Sequence, residues 1–432
     1  MPPFFLDIIA SRRRRLTEIF LALVMSLPIG CRPAAPTASG PLSQRGYLWQ
    51  RAWSPAVADA LTQAETRLDG VVILGAEIVW SGRMPQTIRA TIDWEKLKNA
   101  KKPVAIALRI APFPGPFGAD DLPARHIVET AKSLLAAAHA HEVESSEFQL
   151  DFDCAEKKLD GYRAWLQALR PVIRPMRFVI TTLPAWLDRP EFPTLIHEVD
   201  GYVLQVHSVP TFQEGARAVL CDTALARKWV GRAARLKLPF SVALPTYRCL
   251  AGYDSAGKLL GVAMDSLDPA WPPGTQILEF ATDADEVASL IKEWQAARPP
   301  ELRELLWYRI PVATDVRNWR WATLSAVMNG RTPAHRLEVL QEGNNPIDLS
   351  ISNPGEADEE CNIIVTVSWN GGALVAWDAL PGWTVRTERE RAVFRGFRSQ
   401  LPPGSRRSIG WLRYDEVTTV RSNVEELINA HP

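Results

Sequence analysis

The sequence has no net charge. Its 432 residues hold 49 basic and 49 acidic side chains, so it lacks the basic excess that binding through nucleic-acid phosphates needs. It lacks a long apolar run as well: the stretch from Ile19 to Ile29 falls short of the about 20 residues that cross a bilayer as a helix. Cysteine and histidine are scarce, at 5 and 7 residues. His126, His139, His141 and His197 fall in helical stretches without ligand spacing, and neither HExxH nor CxxC occurs, so no metal site is expected. A glycine-rich phosphate loop and a GxSxG elbow are missing, and no cofactor is expected. Repeats are missing too. What is plentiful is apolar surface: 47% hydrophobic residues and 16 tryptophans can bury a sizeable core, which a disordered chain cannot. At roughly 100–200 residues per domain, the length suggests two or three domains.

The N-terminus reads as an address. Arg12-Arg13-Arg14-Arg15 precede the apolar stretch, and Gly30-Cys31 and a Pro/Ala/Ser/Thr-rich run to Gly40 follow it, the order of a secretory signal. Leu27-Pro28-Ile29-Gly30-Cys31 resembles the bacterial lipobox, which implies acylation of Cys31 and membrane contact through a lipid anchor only. The expected location is the cell envelope, facing the periplasm or on the outer membrane, with secretion after ordinary signal cleavage as the alternative. Export would place Cys154, Cys221, Cys249 and Cys361 in an oxidising compartment, where they could form disulfides in any of three pairings or stay free and buried.

Periodicity divides the rest. The signal occupies 1–31 and a linker 32–46. From 47 to 331, β-rich runs alternate with helical ones. The strands are expected at Tyr47–Trp49, Val71–Val79, Val104–Ile110, Phe148–Asp153, Arg177–Leu183, Tyr202–His207, Phe240–Leu244 and Leu305–Tyr308. Helices are expected at Pro55–Arg67, Trp94–Lys98, Ala124–Ala140, Gly161–Leu169, Phe192–Glu198, Thr223–Leu236, Ala284–Ala297 and Ala322–Met328. Strict α/β alternation implies a parallel sheet, and eight units fit a (β/α)8 TIM-type barrel better than an open doubly wound sheet. Residues 332–432 change to short strand-like runs between turn residues such as Asn353-Pro354-Gly355 and Asn370-Gly371-Gly372, with a helix expected only from about Asn423. This reads as a small C-terminal β-sandwich domain.

In such a barrel the chemistry sits at the C-terminal ends of the strands. The fourth strand, Phe148-Gln149-Leu150-Asp151-Phe152-Asp153, alternates without a break, so Gln149, Asp151 and Asp153 point inward while the apolar residues face the helices. Alternate residues are roughly 6.5–7 Å apart, close enough for Asp151 and Asp153 to act on one substrate. Arg109, Glu77, Gln205, His207, Tyr247, Trp307 and Arg309 lie at neighbouring strand ends, as substrate-binding groups and pocket walls, with a core role as the alternative for His207 and Trp307. An arginine beside two carboxylates keeps one ionised while like charge raises the other, the division of labour that glycoside hydrolysis requires. A structural ion-pair network of Asp151, Asp153 and Arg109 is the alternative.

These residues carry a resemblance. Tyr47-Leu48-Trp49-Gln50, Pro112-Phe113-Pro114-Gly115-Pro116-Phe117, Gln149-Leu150-Asp151-Phe152-Asp153-Cys154, Leu159-Asp160-Gly161-Tyr162, Tyr202-Val203-Leu204-Gln205-Val206-His207 and Trp307-Tyr308-Arg309 resemble a bacterial family known as domain of unknown function 3142. A looser likeness runs to the chitinase-like family 18 glycosidase barrels, whose fourth strand ends in DxDxE and whose eighth ends in tryptophan. That likeness implies a carbohydrate ligand, matches Asp151 and Asp153 to the two aspartates and Trp307 to the tryptophan, and puts Ala155 at the acid position, with Glu156 one residue further on. Three readings of the acid follow: Glu156 re-aimed by its loop, Asp153 itself, or a barrel that binds sugar without cleaving it.

Overall fold

Eight parallel strands close into a ring: β1 (Ser43–Leu48), β2 (Gly70–Ser81), β3 (Val104–Ile110), β4 (Ser145–Phe152), β5 (Arg177–Thr182), β6 (Gly201–Gln205), β7 (Phe240–Pro245) and β8 (Leu302–Tyr308). Neighbours in sequence pair in parallel, and β1 closes the ring by pairing with both β8 and β2. A ninth strand, Met84–Arg89, runs antiparallel along β2. The computed structural model describes residues 36–207, 219–264, 270–360, 362–396 and 400–426. The signal segment with Cys31, and Cys361, lie outside these described residues.

The helices follow the expected alternation: α1 (Pro55–Arg67), α2 (Trp94–Lys98), α3 (Leu122–Ala140), α4 (Leu159–Ile173), α5 (Phe192–Ile196), α6 (Thr223–Ala233), α7 (Ala284–Ala296) and α8 (Trp321–Met328). Aspartates start three of the longer ones. Asp121, Asp222 and Asp283 each accept a backbone N–H of the first turn of α3, α6 and α7, satisfying donors that a helix start leaves open. Strand parity then sorts the side chains. Phe148, Leu150 and Phe152 of β4 pack outward among the helices. Tyr47, Val72, Ala105, Ala107, Val179, Val203, Ala243 and Leu306 fill the interior.

Several elements depart from the sequence reading. β1 begins at Ser43, within the stretch assigned to the linker, and Ala38 already pairs with Arg298. Between β7 and α7 lies a three-stranded antiparallel sheet, Leu259–Ala263, Arg248–Tyr253 and Gln276–Ala281, that periodicity did not reveal. Leu259, Leu260 and Ile277 are exposed there, so no clean alternation of apolar and polar residues marks the strands. The C-terminal part forms two four-stranded antiparallel sheets, and Leu349, Ile351 and Leu412 of one share a core with Val365, Val367 and Phe394 of the other. Where the helix expected from about Asn423 would begin there is a strand, Val420–Glu426, which pairs in register along Ile363–Trp369 with Thr366 opposite Asn423; residues 427–432, where most of that helix was expected, lie outside the described residues. Among the described residues Cys154, Cys221 and Cys249 are buried free thiols.

Candidate active site

Three strands set charged residues side by side. Glu77 is the register partner of Arg109, and Arg109 of Asp151, across β2, β3 and β4. On β2 this depends on a bulge at Gly75. Val72 points inward, whereas Ala76 and Ile78 pack outward, so the extra residue turns Glu77 to the inside.

Asp151 is buried and held at both oxygens. Arg109 Nη1 donates to Oδ2 at 3.2 Å and Thr181 Oγ1 donates to Oδ1 at 2.7 Å. Beneath it the Tyr47 hydroxyl donates to Gln149 Oε1 at 2.9 Å. Asp153 is two residues further along, at the rim, and among the described residues its one side-chain hydrogen bond is a long contact from Gln205 Nε2 at 3.5 Å. Crowding by protein atoms, and then the charge of Asp151, raise its carboxyl from 3.8 to about 6, against the pull of Arg109 and Gln205. Solvent still reaches it through the cavity mouth.

The two carboxyls open onto a cavity of about 150 Å³ walled by Trp49, Gln205, His207, Tyr247, Met264 and Tyr308. The His207 ring stacks on Tyr308 with centroids 5.8 Å apart and planes at 16°. Burial pulls its pKa down to about 4, more than the Ala243 backbone restores, so it is a neutral imidazole at physiological pH. Its Nδ1 has no hydrogen-bond partner among the described residues. Tyr247 and Trp49 meet Tyr308 edge to face, at 5.7 Å and 5.5 Å. Burial pushes the Tyr308 hydroxyl up to about 12, against Arg109 and Arg309, so it stays a neutral donor.

The structure thus gathers Asp151, Asp153, Arg109, Gln205, His207 and Tyr247 of the expected set around one cavity. Four others are placed elsewhere. Trp307 is fully buried in the outer core, its Nε1 donating to Gln44 Oε1 at 2.9 Å. On β8 the inward residues are Leu306 and Tyr308, and parity sends Trp307 to the helices. Glu156 opens an exposed 3-10 turn and does not line the cavity, since the chain has left the strand pleat by Cys154. Glu77 and Arg309 border an adjoining groove, where Glu77 pairs with Arg51 and Arg309 with Asp315. Tyr47, Trp49 and Tyr308 figured only in expected strands and in the segments that carry the resemblance, Thr181 only within an expected strand, and none of the four was named as a site residue. Parity points to two of them: Thr181 continues the inward face of Val179, and Tyr308 that of Leu306.

Residues 102–313, from the start of β3 to just past β8, match the family described as a domain of unknown function (DUF3142). No curated protein matches the sequence. Among solved structures, the spore cortex-lytic enzyme SleL of Bacillus cereus is similar with a TM-score of 0.47 and 12% identity, over 68% of this chain and 75% of that one. A chitinase of Chromobacterium violaceum is similar with a TM-score of 0.44 and 13% identity, over 67% and 98%. A glycoside hydrolase family 5 enzyme of Prevotella bryantii is similar with a TM-score of 0.38 and 10% identity, over 68% and 99%.

Proposed function

We propose that the chain whose residues 102–313 carry the DUF3142 domain is an exported glycoside hydrolase that acts on a polysaccharide of the cell envelope or its surroundings. The observation that carries this reading is the contrast within the carboxylate pair. Asp151 is fixed by Arg109 and Thr181, while Asp153 projects into an aromatic-walled cavity with its pKa raised to about 6. A carboxyl raised to about 6 stays protonated in weakly acidic conditions, where an ordinary aspartate would already be ionised, and that is what a general acid needs. Asp153 donates its proton to the glycosidic oxygen as the bond to the anomeric carbon breaks, and a water then adds to that carbon and returns a proton to the Asp153 carboxylate, which restores the acid. The Asp151 carboxylate beneath the site opposes the positive charge that develops on the sugar. Neutral His207 and Gln205 hold hydroxyls, and Tyr247 and Tyr308 exclude water from the ring.

The test is incubation with a panel of envelope and extracellular polysaccharides, read by mass spectrometry for released saccharides. Wild type is expected to release products from at least one, with a rate that declines as pH rises through about 6, and Asp153→Asn to lose at least about 100-fold in kcat. Full activity in Asp153→Asn would sink the assignment. One observation favours a second reading, a barrel that binds carbohydrate without cleaving it. Both carboxyls come from β4 and no acidic side chain from another strand lines the cavity among the described residues, so the pair does not flank a bond from two sides. Saccharide binding without product release by wild type would select it.

The export signal and lipobox-like Cys31 support attachment to the membrane by a lipid at that residue. Cys31→Ser is expected to move the protein from the membrane pellet to the soluble fraction and to abolish labelling by a fatty-acid analogue. Unchanged pelleting and labelling would refute the anchor.

A further inference from the structure

The cavity at Asp153 is small for a sugar ring with its neighbours, since small-molecule sites run to roughly 300–1,000 Å³. It adjoins a groove of about 470 Å³ over the ends of β1, β2 and β8. Trp49, Arg109, Met264 and Tyr308 line both spaces. Trp49 is therefore a shared wall, braced edge to face by Tyr47 at 5.3 Å and by Tyr308 at 5.5 Å.

The polar groups of the groove are unusual in their balance. Each charge has a partner: Arg51 with Glu77, Arg309 with Asp315 and Arg109 with Asp151. Hydrogen-bonding capacity nevertheless remains. Arg51 Nε and Nη2 both go to Glu77 Oε2, so Oε1 is open among the described residues. Gln50 Oε1 is buried with no partner. Arg109 uses a single N–H, on Asp151. Spare donors, spare acceptors and an indole wall, with no unpaired charge, suit a ring that has an apolar face and a rim of hydroxyls. An anion would have to break one of these pairs or approach Asp153 against its charge.

We propose that this groove is a second saccharide site, so that the substrate is an uncharged oligosaccharide or polysaccharide lying across Trp49 with one unit in each space. The inference rests on the carbohydrate reading above. It makes Glu77, Gln50 and Arg51 specificity-determining residues for the unit next to the one at Asp153.

The experiment is titration calorimetry of the full-length protein with four probes: cellotriose, maltotriose, tri-N-acetylchitotriose and tri-galacturonate, each beside the methyl glycoside of its own monosaccharide. At least one uncharged trisaccharide is expected to bind about tenfold more tightly than its monosaccharide, and tri-galacturonate to show no such gain. Glu77→Gln releases the Arg51 charge, so the gain of the neutral trisaccharide should shrink to under about threefold while tri-galacturonate affinity rises. Gln50→Leu, which leaves the ion pair intact, should lower the neutral gain alone. Circular dichroism of each variant checks that it is folded. If wild type binds monosaccharide and trisaccharide equally, the groove assignment fails and the carbohydrate reading survives. If tri-galacturonate is the preferred ligand, the uncharged class is wrong. If no saccharide binds, the carbohydrate reading falls and this inference with it.

Discussion

Asp151 and Asp153 share one face of one strand, yet two residues of separation give them different chemistry. Asp151 lies where β3 and β5 can reach it, and Arg109 and Thr181 hold its oxygens. Asp153 stands past the last ladder bond, where burial and the neighbouring charge raise it to about 6. That shift is also a statement about stability. Below pH 3.8 the carboxyl is protonated in both folded and unfolded chains. Between 3.8 and about 6 the unfolded chain loses the proton first, so stability falls as pH rises, and above about 6 the loss is complete. Asp153→Asn removes the effect. It is expected to be more stable than wild type at pH 7 by about 1 kcal/mol, a figure discounted for solvent contact at the cavity mouth, with urea midpoints that converge below pH 4. A variant less stable than wild type at pH 7 would refute the raised pKa. At this scale the sequence was informative wherever alternation was unbroken, as along Gln149, Asp151 and Asp153. It left Trp307 open between wall and core at β8, where a one-residue choice between Trp307 and Tyr308 decides which ring faces the cavity. Gly75 shows the physical reason: a bulge resets parity without leaving a mark in composition.

At the scale of elements, the segments that carry the family resemblance divide into chemistry and packing. Gln149 to Cys154 and Tyr202 to His207 supply the cavity. Pro112 to Phe117 and Leu159 to Tyr162 serve another purpose. Phe117 sits on Trp165 with ring centroids 4.6 Å apart and lies against Gly161 in the first turn of α4. A Cβ on Gly161 would stand 2.7 Å from Phe117 Cβ, an atom near the backbone that cannot swing away. Glycine therefore fixes how closely the loop after β3 approaches the helix after β4, and so supports the strand that carries both aspartates. Helix propensity alone would make Gly161→Ala stabilising by about 1 kcal/mol. The contact predicts the opposite sign, a net loss of roughly 1–2 kcal/mol from overpacking, measurable as a lowered denaturant midpoint, and a gain in stability would disprove it. All eight strands and eight helices of the barrel were legible because each strand is buried on both faces and each of the longer helices on one, which leaves short apolar runs alternating with helical periodicity. The sheet between β7 and α7 was not, since its outer residues are exposed and apolar.

At the scale of the whole molecule, zero net charge conceals two internal concentrations of paired charge, one at each end of the barrel. The pair at the C-terminal end, Asp151 with Arg109, was legible from strand alternation. The other was not, because its members are far apart in sequence and meet only when the ring closes. Arg45 of β1 donates from Nε to Glu304 of β8 at 2.6 Å and from Nη1 to Glu147 of β4 at 3.1 Å. Glu147 also accepts from Arg177 of β5 at 2.8 Å and from Gln149 at 2.6 Å, and Glu304 accepts from Ser241 of β7 at 3.0 Å. Five of the eight strands are tied together by this network, with Arg45 at its centre. Arg45 and Glu147 are buried, so the network is sensitive to the loss of a single member. Arg45→Met keeps much of the apolar stem but leaves two carboxylates without their common partner, and it is expected to cost roughly 3–5 kcal/mol. Adding Glu147→Gln and Glu304→Gln removes the stranded charges and should recover a large part of that loss, although fewer polar contacts remain. Chemical denaturation of the single and triple variants decides the matter. If the triple variant is no more stable than Arg45→Met, the charges do not act as a unit, and closure of the ring rests on the ladder hydrogen bonds and the apolar layers alone.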